Sequence, residues 1–365
     1  MADQVTNYQC PNCFAGLRFD GATAKLACDY CDNSFDVEIV EQLYADKAQA
    51  AASAGVEPQW DIEMTNTFSA EEAASMRGYV CPSCAAEIIC EQTTAATSCP
   101  YCGNPTVVPG QFDASLKPDF VIPFRLEKQA AMDTLQKYYK GKKFLPKDFS
   151  NGNHIAEIKG VYVPFWLYDG ETDAYMRFHA TKNRSYRQGN YRITETDHFR
   201  VTREGSVAFE KVPVDASSKM PDAHMDSIEP FDYGEMRPFA MAYLPGFLAD
   251  RYDEDAETCS KRANERIVTS TENLMMGTIN GFSSVTKEYS NINLKKGEVK
   301  YALMPVWLLS TIWKGKNFLF AMNGQTGKLV GDLPVDRGKF WGWFFGIMAP
   351  LAAILSAIYL IGFGG

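Results

Sequence analysis

Two apolar runs share one shape, Val161-Tyr-Val-Pro-Phe-Trp-Leu-Tyr168 and Ala302-Leu-Met-Pro-Val-Trp-Leu-Leu309. Short continuous runs of β-branched and aromatic residues predict strands. Each follows a helical pattern. Val121-Ile-Pro-Phe124 leads into a helix from about Glu127 to Lys140, with Gly141 as its stop, and Tyr243-Leu-Pro-Gly-Phe247 leads into one from about Asp253 to Met275. The order repeats, with Pro164 and Trp166 matching Pro305 and Trp307, which suggests a duplicated unit. β-like sequence follows each strand: Tyr175 to Lys211 with a turn at Arg203-Glu-Gly205-Ser, then Phe318 to Gly331 with a turn at Asn323-Gly-Gln-Thr-Gly327. The prolines place these strands at sheet edges or strand beginnings. Trp166 and Trp307 read as core packing rather than as the walls of a ligand groove.

The longest apolar run lies further on. From Phe340 to Phe363 no residue is charged, and a helix of that length spans roughly 36 Å at about 1.5 Å per residue, enough for a hydrocarbon core of about 30 Å. Trp341, Trp343 and Tyr359 lie near its ends, where amphipathic rings favour the interface. A single transmembrane helix is expected. Lys328, Arg337 and Lys339 precede it, so the positive flank, and the domains before it, should stay in the cytoplasm.

At the other end, one metal-binding phrase occurs twice: Cys10-Pro-Asn-Cys13 with Cys28-Asp-Tyr-Cys31, and Cys81-Pro-Ser-Cys84 with Cys99-Pro-Tyr-Cys102, fourteen residues separating the inner cysteines each time. Two Cys-x-x-Cys knuckles joined by a hairpin form a tetrahedral four-sulfur cage suited to zinc, so two zinc ribbons, each with one Zn2+, are expected. Leu17, Phe19, Leu26, Phe35 and Val37 alternate as a hairpin with one face under the first metal would require. Iron in a similar cage is the alternative. A thioredoxin-like redox pair would need only one such motif beside a βαβ pattern. The polar opening residues do not resemble a signal peptide, and disulfides belong to exported chains. Of the remaining cysteines, Cys90 follows Ile88 and Ile89 in a strand. Cys259 lies on the stripe Tyr252, Ala256, Cys259, Ala263, Ile267, so both read as core.

Composition narrows the partners. The 365 residues are 46% hydrophobic and 13% aromatic, which indicates a globular chain, and the net charge of -9 argues against a polyanion. Residues 1 to 40 hold Asp3, Asp20, Asp29, Asp32, Asp36 and Glu38 against Arg18 and Lys25, the wrong sign for gripping phosphates. No phosphate-binding loop, nucleophile elbow or His-Glu-x-x-His pair occurs. His154, His179, His198 and His224 are scattered, and Asp197-His198 reads as surface decoration in a strand. No enzyme activity is expected. The stretch from Val214 to Tyr233 is a candidate binding loop.

The fold class expected is α+β: two N-terminal zinc ribbons, a β-rich duplicated core and one C-terminal transmembrane helix. Its segments are ribbon 1 at 1–40, a linker at 41–78 with a short helix opened by the capping box Ser69-Ala-Glu-Glu72, and ribbon 2 at 79–109. Repeats at 110–242 and 243–335 follow, then the helix at 340–363.

Together with Tyr162-Val-Pro-Phe-Trp166, Val212-Pro-Val-Asp-Ala-Ser217, Ile228-Glu-Pro-Phe231 and Tyr243-Leu-Pro-Gly-Phe247, the paired ribbons and apolar end resemble bacterial membrane-anchored TFIIB-type zinc-ribbon-containing proteins. Some of these carry the label primosomal replication helicase-like. The resemblance implies that Cys10, Cys13, Cys28, Cys31, Cys81, Cys84, Cys99 and Cys102 are zinc ligands. It also implies flotillin-like or PspA-like membrane-stress proteins as partners. Phe14 and Ala85 depart from it, standing where such ribbons often place glycine. The helicase label does not suit a chain without a phosphate-binding loop. The expected function is that of a membrane-anchored cytosolic adaptor or scaffold in envelope or membrane stress, binding proteins and not nucleic acid. The alternative is a membrane-tethered nucleic-acid-binding protein of replication or transcription.

Overall fold

The computed structural model describes residues 8, 10, 11, 16–21, 23–29, 31, 33–42, 60–62, 66–92, 94, 96, 98–105, 107–110, 116–150, 155–295 and 297–363. Most of the expected linker, together with Cys13 and Phe14, lies outside them. The architecture is α+β and rich in sheet. It divides into two compact units that do not follow the expected boundaries: one takes Met1–Gln59, Gly170–Ala208 and Asn264–Lys296, the other Trp60–Asp169, Phe209–Ala263 and Gly297–Gly365. The reason is strand length. Lys159–Gln188 and Tyr191–Asp215 run for 30 and 25 residues and pass from one unit into the other.

The larger unit is built on the two proline-bearing runs, which lie side by side. Lys159–Gln188 and Gly297–Trp313 pair antiparallel, Val163 opposite Met304 and Trp166 opposite Tyr301. Neither run has a polar face, and the alternation sends each face into a different core. Val161, Val163, Phe165 and Leu167 pack with Ala302, Met304, Val306 and Leu308 in a core that also holds Cys81, Cys90 and Cys99. Tyr162, Trp166 and Tyr168 pack with Val299, Tyr301 and Leu303 against Ala256, Cys259 and Ala263 of the helix Ala256–Gly277. The buried polar tips find carbonyls: Trp166 Nε1 donates to Glu254 O at 2.9 Å, and the Tyr168 hydroxyl donates to Ala256 O at 2.6 Å.

The prolines are not at sheet edges, which corrects that expectation. Each stands where one neighbour hands over to another, so its missing N–H leaves no gap. Beside Gly297–Trp313, the strand Phe120–Val121 pairs as far as Leu303, and Lys316–Asn323 takes over from Val306, with Pro305 between them. Beside Lys159–Gln188, Leu248–Asp250 pairs up to Tyr162, after which Ala216 N donates to Pro164 O at 2.9 Å.

The helix expected near 127–140 spans Lys128–Tyr139, with Gly141 at φ +79° beyond it. Its residues Ala131, Leu135 and Tyr139 join Trp307, Leu309 and Phe320 in a third core. The second helix starts later than expected, at Ala256, because Asp255 Oδ1 accepts from Thr258 N at 2.7 Å while Asp253 is drawn to Ser218 and Lys219. The capping box at Ser69 forms and opens the helix Ala70–Ala74. The 214–233 stretch is no open loop. Met220, Met225, Ile228 and Phe231 are core residues, the helix Asp222–Ile228 lies within it, and Asn323 Nδ2 donates to Ile228 O at 3.0 Å.

In the smaller unit, Thr172 to Thr181 pairs antiparallel with Ser284–Leu294. Ala174, Met176 and Phe178 pack with Met275 and Ile279. The hairpin turns at Gly189, φ +60°, and not at the expected Arg203 to Ser206. Gly205 lies within the strand, where a Cβ would make ordinary contact with Met275 Cε at 3.6 Å. Arg203, in extended backbone, donates to Thr278 Oγ1 at 2.7 Å.

The C-terminal helix spans Arg337–Phe363. Among the described residues it is the helix long and apolar enough to cross a membrane, and its apolar stretch Arg337–Ser356 is 0% buried.

Two enclosed carboxyls in the larger unit give the fold a pH dependence. Burial pushes Asp250 up to about 7, against the opposing bond from Ser217 Oγ at 2.6 Å. Burial likewise lifts Asp215 to about 6, opposed by Arg262 at 3.0 Å. A raised folded-state pKa means the native chain keeps a proton that the unfolded chain releases above pH ~4, so stability falls as pH rises from ~4 towards 7. Asp250→Asn keeps an acceptor for Ser217 and is expected to flatten most of that fall. Urea midpoints at several pH values check this; an unchanged wild-type slope in the variant contradicts it.

Candidate metal centres

Both cysteine sets come together wherever they are described. Cys81, Cys84, Cys99 and Cys102 gather with their sulfurs all within 4.8 Å of one another, and so do Cys10, Cys28 and Cys31. Cys13, the fourth expected ligand of the first set, lies outside the described residues. Sulfurs about 2.3 Å from one tetrahedral ion sit roughly 3.8 Å apart. The pairs Cys81 to Cys102, Cys84 to Cys99 and Cys10 to Cys31 are each 3.6 Å apart, which fits a four-coordinate ion. The donor set can hold a metal.

The second cage is made by two matching knuckles. Ala85 N donates to Cys81 O at 2.8 Å and Gly103 N to Cys99 O at 3.2 Å. Cys81 N and Cys99 N bond forward to Ala86 O and Asn104 O. Such knuckles require a left-handed residue after the second cysteine, and Gly103 and Ala85 sit there at φ +70° and +56°. This explains the glycine usual at that place. Ala85 takes the conformation at some cost.

This cage is built into the larger unit and is not a separate module. Its sheet strands are Met76–Val80, Glu87–Glu91 and Val108–Gly110, so its first strand starts before the expected boundary at 79. Glu87–Glu91 pairs with Leu248–Asp250, Ile89 opposite Ala249. Asn317 Nδ2 donates to Tyr101 O at 3.1 Å and fastens the second knuckle to the Lys316–Asn323 strand.

Electrostatics favour a cation in the cage. Burial pushes the Cys84 thiol up to about 11 and Cys99 higher still. Burial also acts against the Cys81 thiolate, but N–H groups of Cys84 and Ser83 outweigh it and bring the thiol down to about 7. A bound metal ion supplies the charge that lets all four ionise. Two lysines lie close to the cage, Lys219 being paired with Asp253 at 3.0 Å as well. Lys159, donating to Ser98 O at 2.6 Å, feels Cys99, and Lys219 feels Cys84. Neither lysine was singled out by sequence, because each joins the cage only through the fold.

The first cage lies on the antiparallel strands Arg18–Asp20, Lys25–Ala27 and Ser34–Asp36, with Leu26 opposite both Phe19 and Phe35. Leu26 is buried, whereas Phe19 is 56% exposed and Val37 is helical, so the expected five-residue alternation holds only in part. Asn33 Nδ2 donates to Cys31 Sγ at 3.3 Å. Arg18 pairs with Asp29 at 3.1 Å and Lys25 with Asp36 at 3.0 Å, so this ribbon's two cations are already matched to its own acids.

Cys90 and Cys259 are buried, as core residues should be. His198 is exposed and stacks on His179 with Nδ1 2.9 Å from Nε2, a pairing across the hairpin that needs strand register to be seen.

Over 361 residues, 99% of both chains, the sequence is 35% identical to the uncharacterized protein YdjG of Bacillus subtilis (strain 168). The chain belongs to the YdjG family. No family model matches the chain. No solved structure matches it significantly.

Because the second cage forms part of the larger unit's core, Cys81→Ser with Cys84→Ser is expected to cost several kcal/mol and to lower the melting temperature of that whole unit. The same pair of changes at Cys10 and Cys28 should leave that transition in place. Calorimetry distinguishes them, and equal effects contradict the assignment. Ala85→Gly should raise stability by about 0.5–1 kcal/mol, read as a small rise in the same transition.

Proposed function

We propose that this chain is a membrane-anchored, noncatalytic adaptor. Its two cages carry zinc, and its cytoplasmic domains gather a protein partner at the inner face of the membrane in a response to envelope or membrane stress. The observation that carries the proposal is the C-terminal helix: Trp341, Phe345, Ile347, Leu351, Ile354 and Leu355 are all exposed around it. Apolar surface of that extent needs lipid or a partner to cover it. The basic residues Arg337 and Lys339 at its start support a cytoplasmic N-terminal side.

Zinc rather than iron is favoured by a role in holding a core, which asks for a fixed tetrahedron without redox change. Confinement to a membrane raises the local concentration of anything the chain binds, so modest contacts suffice to assemble a complex. The acidic first ribbon directs those contacts towards protein surfaces. A flotillin-like or PspA-like membrane-stress protein is the partner implied by resemblance. The paired strands and their preceding helices are read as two copies of one unit.

Freshly prepared reduced protein should contain two zinc ions per chain by elemental analysis. In cells, crosslinking from membranes should recover a membrane-associated protein partner. Protease should digest the ribbons in inside-out vesicles and not from outside intact cells. One ion or none would sink the zinc assignment, external digestion the topology, and salt-sensitive DNA binding without a protein partner the adaptor reading.

A further inference from the structure

The acidic chain concentrates cations at the root of its apolar helix. A groove of about 1010 Å³ opens there, walled by the segment before and at Lys147, the turn after Trp313 and the residues 333–340. Lys147, Lys314, Lys316, Arg337 and Lys339 line it against Asp148 and Asp336, a local excess of three positive charges (five minus two) in a chain of net charge -9. Among the described residues no carboxylate pairs with Lys314, Lys316 or Arg337, and all three are exposed. Lys339 is already committed, donating to Leu145 O at 2.7 Å.

The groove is assembled by the fold. The hairpin of Gly297–Trp313 and Lys316–Asn323 closes through the two residues Lys314 and Gly315, both left-handed at φ +50° and +75°, which puts Lys314 and Lys316 on one rim. Phe149 packs on Trp313 and Phe318 with ring centroids 6.1 and 5.5 Å apart, tying that rim to the helical turn Lys147–Ser150. The helix root is tied to the turn just before Lys147–Ser150, since Asp336 N donates to Phe144 O at 2.8 Å. Lys143 completes the belt, its ammonium 4.2 Å from the ring of Trp343 on the helix.

We propose that this groove binds the headgroup of an anionic phospholipid in the leaflet that the C-terminal helix enters, a reading that rests on the anchoring role proposed above. A phosphate needs cations that are exposed and without carboxylate partners, and acyl chains need an apolar wall continuous with the headgroup site. Both are present: exposed Val335 and Phe340 lead from the groove onto the exposed apolar side of the helix. Juxtamembrane cations held at a membrane surface attract anionic lipid strongly enough for three of them to shift binding at least tenfold, by about a factor of 5 each. The rest of the chain is net acidic, so the excess of positive charge at the groove stands out as the place beside the anchor suited to an anionic headgroup.

The test uses the full chain, with the variant Lys314→Asn, Lys316→Gln, Arg337→Gln. Asparagine suits the left-handed turn position, so the fold should persist, and an unchanged melting transition verifies it. If this variant melts early, the single change Lys316→Gln replaces it with a proportionately smaller loss. Flotation with pure phosphatidylcholine vesicles reads anchoring alone. Native mass spectrometry from nonionic detergent then compares retention of phosphatidylglycerol and phosphatidylcholine. The expected result is flotation of both proteins and a preference of about tenfold or more for phosphatidylglycerol in the wild type. That preference should vanish in the variant, persist in a control with the exposed Lys182, Arg184 and Arg187 near the end of the strand Lys159–Gln188 changed to Gln, and resist soluble glycerol phosphate. Flotation without a lipid preference overturns the groove while sparing the anchor. So does a preference that survives in the variant or is lost equally in the control. Displacement by glycerol phosphate at lipid-matched concentration would mean a site for free phosphate esters and overturns the lipid assignment. Failure to float overturns the anchor itself, and the lipid site with it.

Discussion

The antiparallel contact between Val161–Tyr168 and its partner run, Val299–Leu308, is the constraint on which the larger unit depends. A strand pair apolar on both sides cannot leave either side in water, so each must be covered, and the pleat decides which residues meet which cover. One side receives the helix Ala256–Gly277 through Tyr162, Trp166 and Tyr168. The other receives the second metal cage through Val161, Val163 and Phe165. The cage is therefore a roof on the core. A metal held there would be coupled to the folding of this unit, because the sulfurs are placed by strands that belong to its core.

The polar groups buried along this contact are arranged to preserve it. Ser217 donates to Asp250, and Arg262 reaches Asp215, Asp222 and Asp226 at 3.0 to 3.1 Å, so the segment after Asp215 is pinned over the central strands. Asp250 stands one residue beyond the pairing of Ala249 with Tyr162, linking the ribbon sheet to the central strands. Its proton, held up to about pH 7 by burial, matters to the cohesion of both.

What could be read from sequence was whatever a local pattern determines. The four-sulfur cage at Cys81 to Cys102, the helix Lys128–Tyr139 ended by Gly141, the capping box at Ser69 and the apolar C-terminal helix all rest on spacing or period. What escaped depends on pairing. Pro164 and Pro305 looked like edge residues because a proline removes a donor; only the neighbouring strands reveal that no donor is needed there. Gly205 looked like a turn, yet it lies inside the strand Tyr191–Asp215. Lys159 and Lys219 near the cage, and His179 on His198, come together across distances that no window of sequence spans.

Hydrogen exchange of the metal-loaded and chelated protein tests the central claim, that cage and central strands form one cooperative unit. Amides of Glu87–Glu91 and of Val161 to Leu167 should lose protection together when metal is removed, while those of Ser284–Leu294 keep theirs. Protection retained at Val161 to Leu167, with exchange confined to the knuckles and their hairpin, would contradict it.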